Sequence, residues 1–266
     1  MSARDLEDFV VVVTGASTGL GRAIAVECAE RGAATVIVNY ASSADAAAET
    51  ARLVEARGAK AVVVQGNVAI DDDCRRIAAA AAAYGRIDAL FNNAGETRFA
   101  SHADLDAVSG QDFLDVYAVN VVGAFQMVRA CRSLLEAATQ PGAVVNTSSI
   151  AGVIGIGSSV PYAASKGALA TMTLSLARAL APKIRVNAVC PGFIDTGWFG
   201  KGLSPAAVEK IRANAANATP LKAASTAQDI AASTVFLASR ASRHVTGETL
   251  MVDAGAHLGY APMVAR

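Results

Sequence analysis

The chain has few residues that form covalent or metal cross-links. Its cysteines are Cys28, Cys74, Cys131 and Cys190, and they form no C-x-x-C pair. None of the three histidines stands at metal-ligand spacing from a cysteine. These absences exclude a disulfide scaffold and a zinc motif, so we expect reduced, mostly buried thiols and no metal site.

Net charge and long apolar runs are also missing. Lys and Arg total 23 and Asp and Glu total 23, so the formal charge is zero. A neutral chain lacks the basic surface that nucleic acids and anionic membranes attract. The amino terminus, MSARDLEDFVVVVTG, has acidic residues where a secretion signal would be basic, and no apolar run approaches the roughly 20 residues of a membrane span. We therefore expect no nucleic-acid partner, no membrane contact and a cytoplasmic location.

The composition instead predicts a large buried core. Hydrophobic residues make up 53% of the 266 positions, and a chain of this length buries roughly three quarters of its unfolded surface without cross-links. We find no linker-like Pro/Gly/Ser tract, no internal repeat and no low-complexity tail. The sequence therefore predicts one domain over residues 1–266.

Short β-branched runs alternate with helical patterns along the whole chain. The strand candidates are FVVVVT, TVIVNY, AVVVQG, ALFN, AVVNTSS, IRVNAVCP and TLMVD. Helices are expected near residues 20–31, 44–58, 71–84, 111–136, 160–181, 205–216 and 226–239, with a capping box at Ser225-x-x-Gln228. Because the apolar runs are continuous, they suit strands that are covered on both faces. The pattern predicts an α/β fold with a doubly wound parallel sheet.

A glycine-rich turn, TGASTGLG at residues 14–21, lies between the first strand and the first helix. Unpaired backbone N–H groups and the positive end of the helix dipole make such a turn suitable for an anion. Glycine also lets a pyrophosphate approach the main chain closely. The spacing G-x-x-x-G-x-G lacks the Gly-Lys-Ser/Thr of a P-loop. The turn is therefore a candidate dinucleotide site, and the alternative is a tight strand-to-helix connection that binds nothing.

Tyr162 and Lys166 stand four residues apart at the start of a predicted helix, so both lie on one face. A phenol with a pKa near 10 exchanges protons near neutral pH only if its anion is stabilised by roughly 4 kcal/mol. One positive charge about 4 Å away supplies on the order of 4 kcal/mol at an effective dielectric constant near 20. The pair therefore predicts an acid–base tyrosine, and the alternative is an ordinary surface pair.

A third candidate is Ser149, at the end of the strand candidate AVVNTSS. In open parallel sheets ligands bind at the carboxyl ends of the strands. Ser149 precedes Tyr162 by 13 residues, so a returning loop can bring both hydroxyls to one substrate oxygen. Alternatively, the serine belongs to a turn or a helix cap.

Taken together, these residues resemble the short-chain dehydrogenase/reductase family, from about residue 10 to residue 255. The matching segments are TGASTGLG at 14–21, NNAG at 92–95, YAVNVVGAF around Asn120, VNTSSIAG around Ser149, YAASK at 162–166, PGFIDT at 191–196 and TGETLMVDAG at 246–255. Within the family the chain looks like the 3-oxoacyl-(acyl-carrier-protein) reductases, with sugar and steroid dehydrogenases close behind. The resemblance implies a three-layer Rossmann fold with seven parallel strands in the order 3-2-1-4-5-6-7.

The resemblance also implies an oxidoreductase that interconverts a ketone or 3-oxo group and a secondary alcohol by hydride transfer. Tyr162 would be the general acid in reduction and the general base in oxidation. Lys166 would lower the pKa of Tyr162 and hold the nicotinamide ribose, and Ser149 would orient the carbonyl group. Asn120 would keep a water between Lys166 and solvent.

The family likeness further assigns a set of cofactor contacts along the chain. Gly15, Ser17, Thr18, Gly19, Leu20 and Gly21 would line the pyrophosphate, Asn67 and Val68 the adenine, Asn93, Ala94 and Gly95 the adenine-side ribose, and Tyr162, Lys166, Pro191, Gly192, Ile194 and Thr196 the nicotinamide end. Asn67 stands where the family usually has an aspartate, so some adenine selectivity is expected to be lost.

The end of the second strand predicts NADP(H) as the preferred cofactor. NAD-preferring enzymes carry an acidic residue there, which bonds the ribose hydroxyls and repels a 2′-phosphate. Here the segment reads NYASS at 39–43, so Asn39, Ser42 and Ser43 are candidate phosphate donors. No arginine stands at Thr18 or at the strand end to bind the phosphate more strongly, so NAD(H) stays open as the second cofactor.

Residues 193–224 contain no strand candidate and carry the only tryptophan, Trp198. A segment in this position is expected to be a mobile lid over the substrate, and the alternative is a pair of packed surface helices. Trp198, Phe199 and Leu203 are expected to form an apolar pocket with Phe99, Ile154 and Ile156. The predicted substrate is therefore a small-molecule carbonyl or alcohol of medium size and partly apolar character.

The helix that carries Tyr162 has more apolar side chains than covering a sheet needs. Leu169, Met172, Leu176 and Leu180 are expected to form part of a homotetramer interface, as in the family. The alternative is a monomer in which the segment 257–266 covers them.

Two other functions stay open at this point. An NAD-dependent alcohol, sugar or steroid dehydrogenase would use the same catalytic residues with another cofactor and substrate. A non-catalytic NADP-binding sensor would need the glycine turn but neither Tyr162 nor Lys166.

Overall fold

The structure, a computed structural model, describes residues 4–198, 200 and 202–259. In chain order its strands are β1 (Val10–Val13), β2 (Thr35–Tyr40), β3 (Lys60–Gln65), β4 (Ala89–Asn92), β5 (Gly142–Thr147), β6 (Ile184–Pro191), β7 (Ile194–Asp195), β8 (Ser225–Thr226) and β9 (Thr249–Val252). Within these residues β7 and β8 pair with each other, and the other seven strands form one parallel sheet in the order β3-β2-β1-β4-β5-β6-β9. The predicted fold and strand order are confirmed, with β9 as the seventh strand of the sheet.

Helices connect successive strands of this sheet. They are α1 (Gly19–Glu30), α2 (Ala44–Glu55), α3 (Asp71–Ala79), α4 (Gly110–Tyr117), α5 (Ala124–Glu136), α6 (Ala151–Ile154), α7 (Val160–Leu180), α8 (Pro205–Ala218) and α9 (Ala227–Ala238). A π-helical segment, Ala118–Gly123, joins α4 to α5.

The central strands of the sheet, β1, β2, β4, β5 and β6, are buried on both faces, whereas the edge strand β3 is partly exposed. In β1, Val11 and Val13 pack in one apolar cluster with residues of α1, α2 and α9, whereas Val10 and Val12 pack in a second cluster with α3, α5 and α7. Successive side chains of a strand point to opposite faces, so a strand between two helix layers has to be apolar at every position. This explains the continuous runs in the sequence and confirms the three-layer arrangement.

Three local expectations differ from the structure. The helix expected over 111–136 is interrupted by the π-helical segment 118–123. The segment expected to lack strands contains β7, which pairs with β8 and thereby joins the two ends of residues 193–224. The capping box of α9 is formed by Thr226 and Asp229, one residue later than expected, because the Thr226 hydroxyl accepts the Asp229 N–H and the Asp229 carboxylate accepts the Thr226 N–H.

The apolar side chains of α7 are mostly covered by the chain itself. Leu169 is buried, and Leu176 and Leu180 pack against the second core cluster. Part of this stripe therefore covers the sheet, and the expected subunit interface on α7 stays a prediction. Of the segment 257–266, residues 260–266 lie outside the described residues.

A buried arginine holds the carboxyl end of α9 to the sheet. Arg185, in β6, is only 7% exposed, and its guanidinium donates to the carbonyl oxygens of Leu237 and Val245 at 3.0 and 2.9 Å. It also donates to the carbonyl oxygens of Ala238 and Ser239. The last carbonyls of a helix have no partner within the helix, so this side chain satisfies them and places a positive charge at the negative end of the helix dipole.

Candidate active site

A cleft of about 1260 Å³ lies at the carboxyl ends of β1 to β6. Every residue that the sequence assigned to the cofactor lines this cleft, and so do Ser149 and Trp198. Sites for a single small molecule usually measure about 300–1,000 Å³. The cleft therefore has room for a dinucleotide and a substrate side by side.

The glycine turn fits a ligand that approaches the main chain. Gly15 has a φ of +61°, and a Cβ there would lie 2.9 Å from the Cα of Ala94. A Cβ on Gly21 would lie 2.5 Å from Nδ2 of Asn93. Both positions therefore require glycine, because the turn is pressed against the segment that follows β4. The side chain of Thr18, the N-cap residue, does not cap α1, and an uncapped helix start binds anions well.

Two side chains, those of Asn39 and Arg22, hold this turn in place. Asn39 is buried, accepts the Gly15 N–H through Oδ1 at 3.1 Å, and donates through Nδ2 to the carbonyl oxygens of Val64 and Gly66. Its amide hydrogens are used by the protein, so the predicted donation from Asn39 to a phosphate is not supported. The sequence did contain a signal for this structural role, because an amide at the end of a buried strand has to find hydrogen-bond partners within the protein.

The guanidinium of Arg22 supports the turn from the other side. It donates to the carbonyl oxygens of Ser17 and Ala46 at 2.7 and 3.1 Å, and to the hydroxyl of Thr50 at 3.0 Å. These bonds join the turn to α2. Nothing in the spacing of the glycines indicated this role.

The remaining candidate phosphate donors lie at the start of α2. Ser42 and Ser43 are both exposed and line the cleft. Ser43 is the N-cap residue of α2 but makes no side-chain cap hydrogen bond, so its hydroxyl and the helix start both face solvent. Asp45 adds one carboxylate in the first turn of α2. Asn67, near the predicted adenine site, accepts the Ala69 N–H through its Oδ1 at 3.0 Å.

The predicted catalytic side chains of α7 and β5 are brought together. Ser159 is the N-cap residue of α7, and its hydroxyl accepts the Tyr162 N–H. One helical turn separates Tyr162 from Lys166, and the Lys166 Nζ lies 5.6 Å from the centre of the Tyr162 ring. The Ser149 hydroxyl lowers the pKa of Tyr162, and both side chains line the cleft. Lys166 is 3% exposed and donates to the carbonyl oxygen of Thr147 at 2.7 Å.

Burial shifts the pKa of both members of this pair. Burial raises the pKa of Tyr162 to about 12, and the hydrogen bond with Ser149 offsets part of that rise. Burial lowers the pKa of Lys166 to about 8. Loss of hydration disfavours both charged forms, so burial dominates the pKa of Tyr162 in the chain by itself. The predicted lowering of that pKa by Lys166 stays a prediction. At neutral pH the phenol is therefore a neutral proton donor beside a protonated ammonium group.

Asn120 lies in the π-helical segment and is 1% exposed. It accepts the Glu96 N–H at 2.8 Å and donates to the Glu96 carbonyl oxygen and the Ser165 hydroxyl at 3.0 and 2.9 Å. A Cβ on Gly95 would lie 3.4 Å from the Asn120 Oδ1 and 3.7 Å from the Lys166 Nζ. The amide therefore joins the segment after β4 to α7 directly beside the lysine. Its predicted role in holding a water stays a prediction.

Further contacts that sequence reasoning missed fix the position of α7. The Ser148 hydroxyl donates to the carbonyl oxygen of Lys166, and the Asn146 amide donates to the Thr173 hydroxyl. A Cβ on Gly152 would lie 2.9 Å from the Lys166 carbonyl oxygen, so α6 and α7 touch backbone to backbone. The sequence signal for these contacts was the run of polar residues at the buried end of β5, because buried polar groups have to find hydrogen-bond partners.

The segment 193–224 covers the substrate side of the cleft. The Trp198 ring centre lies 6.3 Å from that of Tyr162, and Ile156 lines the cleft nearby. Ile154 does not line it, and Phe199 lies outside the described residues. α8 has no buried residue, and its Arg212 pairs with Asp195 of β7 at 2.7 Å.

Other polar groups near the site have structural roles. Asp253 accepts the N–H groups of Gly255 and His257 and pairs with the His257 ring at 2.9 Å, so it holds the turn after β9. All four cysteines are buried and unpaired, as expected. In the part of the chain that the structure describes, no helix has the length and apolar character of a membrane span, and no three His, Cys, Asp or Glu side chains are grouped to hold a metal ion.

Comparisons with known proteins agree with this geometry. The chain matches the family model described as enoyl-(acyl carrier protein) reductase over residues 15–257. It is 39% identical to a protein of Streptomyces violaceoruber assigned as ketoacyl reductase 2 of the granaticin polyketide synthase, over 94% of this chain and 96% of that protein. It is 37% identical to the L-rhamnose 1-dehydrogenase (NAD(P)(+)) of Azotobacter vinelandii, over 94% and 97%. A solved structure from Burkholderia xenovorans, assigned as a short-chain dehydrogenase/reductase, superposes with a TM-score of 0.86 at 38% identity, over 94% of this chain and 98% of that one.

Proposed function

Because the chain belongs to the short-chain dehydrogenase/reductase family, and is thus an oxidoreductase, we propose that it interconverts a ketone or 3-oxo group and a secondary alcohol with NADP(H) as preferred cofactor. One observation carries the proposal. Ser149, Tyr162 and Lys166 line the same cleft as the glycine turn.

The residues of the cleft suit a nicotinamide dinucleotide, because the glycine turn and the uncapped start of α1 line it together with the residues that follow β4 and β6. Residues 15–21 would hold the pyrophosphate, Asn67 and Val68 the adenine, residues 93–95 the adjacent ribose, and Pro191, Gly192, Ile194 and Thr196 the nicotinamide end. When bound, the cofactor supplies or accepts the hydride.

The side chains of the protein handle the proton and the orientation of the substrate. The Ser149 hydroxyl orients the carbonyl oxygen by a hydrogen bond, next to the Tyr162 Oη. Because its pKa is about 12, the phenol is neutral near pH 7 and donates its proton to that oxygen in reduction. In oxidation the same Oη has to accept a proton, so a phenolate is needed and the ammonium of Lys166 stabilises it. Asn120 holds the lysine side of the site in place.

The preference for NADP(H) is supported by the exposed hydroxyls of Ser42 and Ser43 beside the uncapped start of α2. Residues 39–43 contain no carboxylate that would repel a 2′-phosphate. NAD(H) is the alternative cofactor, and Asp45 in the first turn of α2 is the feature that favours it. An alcohol, sugar or steroid dehydrogenase that uses NAD is the corresponding second function.

The test is turnover of NADPH with a panel of ketones, followed by the same assay on Tyr162→Phe. We expect the variant to bind NADPH like the wild type and to lose about 10²- to 10⁴-fold in kcat, the usual contribution of general acid catalysis. A wild type that binds NADPH tightly and reduces no ketone would instead establish the sensor function.

We also propose that residues 193–224 act as a lid within a single domain. The β7–β8 ribbon joins the two ends of the segment, while α8 between them has no buried residue. Such a segment can move about fixed ends.

For assembly we propose a homotetramer with α4, the π-helical segment and α5 at an interface, because Leu114, Val122 and Phe125 on these three elements are 64%, 46% and 43% exposed. Analytical ultracentrifugation checks this. We also propose a cytoplasmic location, because the four cysteines are unpaired, as is usual for proteins in a reducing compartment.

A further inference from the structure

The cleft extends past the ends of β2 and β3, on the side of the glycine turn that lies away from Tyr162. In the sheet order β3-β2-β1-β4-β5-β6, Asn67 follows the edge strand β3, whereas Ser149 and Tyr162 follow β5. A dinucleotide whose pyrophosphate lies at the glycine turn after β1, and whose nicotinamide meets Tyr162, therefore places its other base beside Asn67. We call the part of the cleft lined by Gly66, Asn67 and Val68 the base subsite.

The side chain of Asn67 is held in one orientation. Its Oδ1 accepts the Ala69 N–H at 3.0 Å. Its backbone N–H donates to the Asp73 carboxylate at 2.7 Å, and its carbonyl oxygen accepts the Ile70 N–H at 2.9 Å. Because only the oxygen of an amide can accept an N–H, the bond to Ala69 fixes which end of the side chain faces the turn.

The Nδ2 group of Asn67 is thereby left for a ligand. Asn67 is exposed and lines the cleft, and within residues 4–198, 200 and 202–259 no hydrogen bond uses its Nδ2. An amide nitrogen carries two hydrogens and accepts none. The side chain therefore presents donors to the base subsite.

The acceptor groups of the base subsite are already engaged. The Gly66 carbonyl oxygen accepts from Asn39 Nδ2 at 3.0 Å. The Val68 carbonyl oxygen accepts from Gln126 Nε2 at 2.9 Å and from the Cys74 thiol at 3.2 Å. Among the described residues that line the cleft after β2 and β3, none carries a carboxylate. The base subsite therefore offers a ligand free donors, while its oxygens already accept from the protein.

Purine bases differ in the group that they would present to these donors. Adenine carries an amino group at position 6, which donates, whereas hypoxanthine carries an oxo group there, which accepts. We propose that Asn67 makes the base subsite accept a 6-oxopurine at least as well as adenine. The inference rests on the proposed function, since it takes a nicotinamide dinucleotide as the ligand.

The first experiment is calorimetric titration of the protein with NADPH and with the same dinucleotide in which hypoxanthine replaces adenine. We expect the hypoxanthine compound to have a Kd that is lower than that of NADPH or within threefold of it. Both compounds carry the same phosphates and nicotinamide, so the ratio of the two Kd values reports the base alone. A Kd for NADPH that is more than threefold lower would overturn the inference.

Asn67→Asp tests the residue itself. Aspartate has nearly the same size, and one of its oxygens can keep the bond to the Ala69 N–H while the other replaces Nδ2 by an acceptor. A hydrogen bond to a charged group differs from a missing one by about tenfold or more in affinity, so the ratio should shift about tenfold towards NADPH. The matched control is Asn214→Asp, because Asn214 is exposed on α8 and does not line the cleft; its ratio should equal that of the wild type. A shift below threefold in Asn67→Asp contradicts the assignment.

Ketone reduction with both cofactors separates this inference from the proposed function. Because the base lies far from the reacting atoms, kcat should be the same with both cofactors and only KM should follow Kd. If the calorimetric ratios are as expected but no ketone is reduced, the proposed reaction fails and the base assignment stands. If ketones are reduced but the hypoxanthine compound binds more than threefold more weakly than NADPH, the base assignment fails alone.

Discussion

Replacing Lys166 by methionine should make the protein more stable at neutral pH while it inactivates the site. Lys166 is 3% exposed, and burial lowers its pKa from 10.5 to about 8. That difference means that holding the charged form in the folded protein costs roughly 3 kcal/mol below pH 8. Methionine has a similar length and no charge, so it removes this cost. It also loses the hydrogen bond to the Thr147 carbonyl oxygen, worth about 1 kcal/mol.

The net gain expected at pH 7 is therefore about 2 kcal/mol, or roughly 4–8 °C in Tm for a chain of this size. The sign of the pH dependence follows from the lowered pKa. Between about pH 8 and pH 10.5 the unfolded wild type binds more protons than the folded one, so its free energy of unfolding rises with pH. The advantage of Lys166→Met should therefore shrink across that window and be lost near its upper end.

Chemical denaturation of the cofactor-free proteins at pH 6, 7, 8 and 9.5 checks this. The matched control is Lys183→Met, because Lys183 is 66% exposed and its replacement should leave the free energy of unfolding within about 0.5 kcal/mol at each pH. A wild type more stable than Lys166→Met at pH 7, or a difference between them that does not change with pH, would refute the reasoning.

Three further predictions concern the cofactor, the proton and the core. Replacing Ser42 and Ser43 together by alanine should raise the KM for NADPH about tenfold or more and leave the KM for NADH nearly unchanged. Steady-state kinetics with both cofactors measure the two effects. Equal effects would show that the 2′-phosphate binds elsewhere. Alcohol oxidation should accelerate with pH up to at least pH 9, whereas ketone reduction should stay flat near neutrality, because Tyr162 has a raised pKa and must lose its proton only for oxidation; parallel pH profiles for the two directions would contradict the assigned role. Arg185→Met should lower the free energy of unfolding by about 2–3 kcal/mol, because it leaves the last carbonyls of α9 without donors. Urea denaturation measures this loss, with Arg178→Met as the exposed control. Equal stabilities of the two variants would show that water replaces the guanidinium.

Some elements of the structure could be predicted from the sequence alone. Local patterns sufficed for the strands, because a strand covered on both faces is a continuous apolar run that few other structures produce. They also sufficed for the order of the motifs along the cleft, since parallel strands place all their carboxyl ends at one edge.

One assignment failed because it depends on neighbours distant in the chain. The amide of Asn39 is used by the carbonyl groups of Val64 and Gly66, on the adjacent strand. The capping box of α9 was missed for a local reason, since Thr226-x-x-Asp229 overlaps the predicted Ser225-x-x-Gln228.

The sequence by itself determined the fold class and which residue types meet at the cleft, because hydrophobic periodicity and motif order are local properties of the chain, and the resemblance to the family implied the strand order. Only the tertiary structure decided the electrostatics of the site. Whether Lys166 lowers the pKa of Tyr162 or burial raises it depends on how completely both groups lose water, and that is set by the packing of α6, α7 and β5 around them.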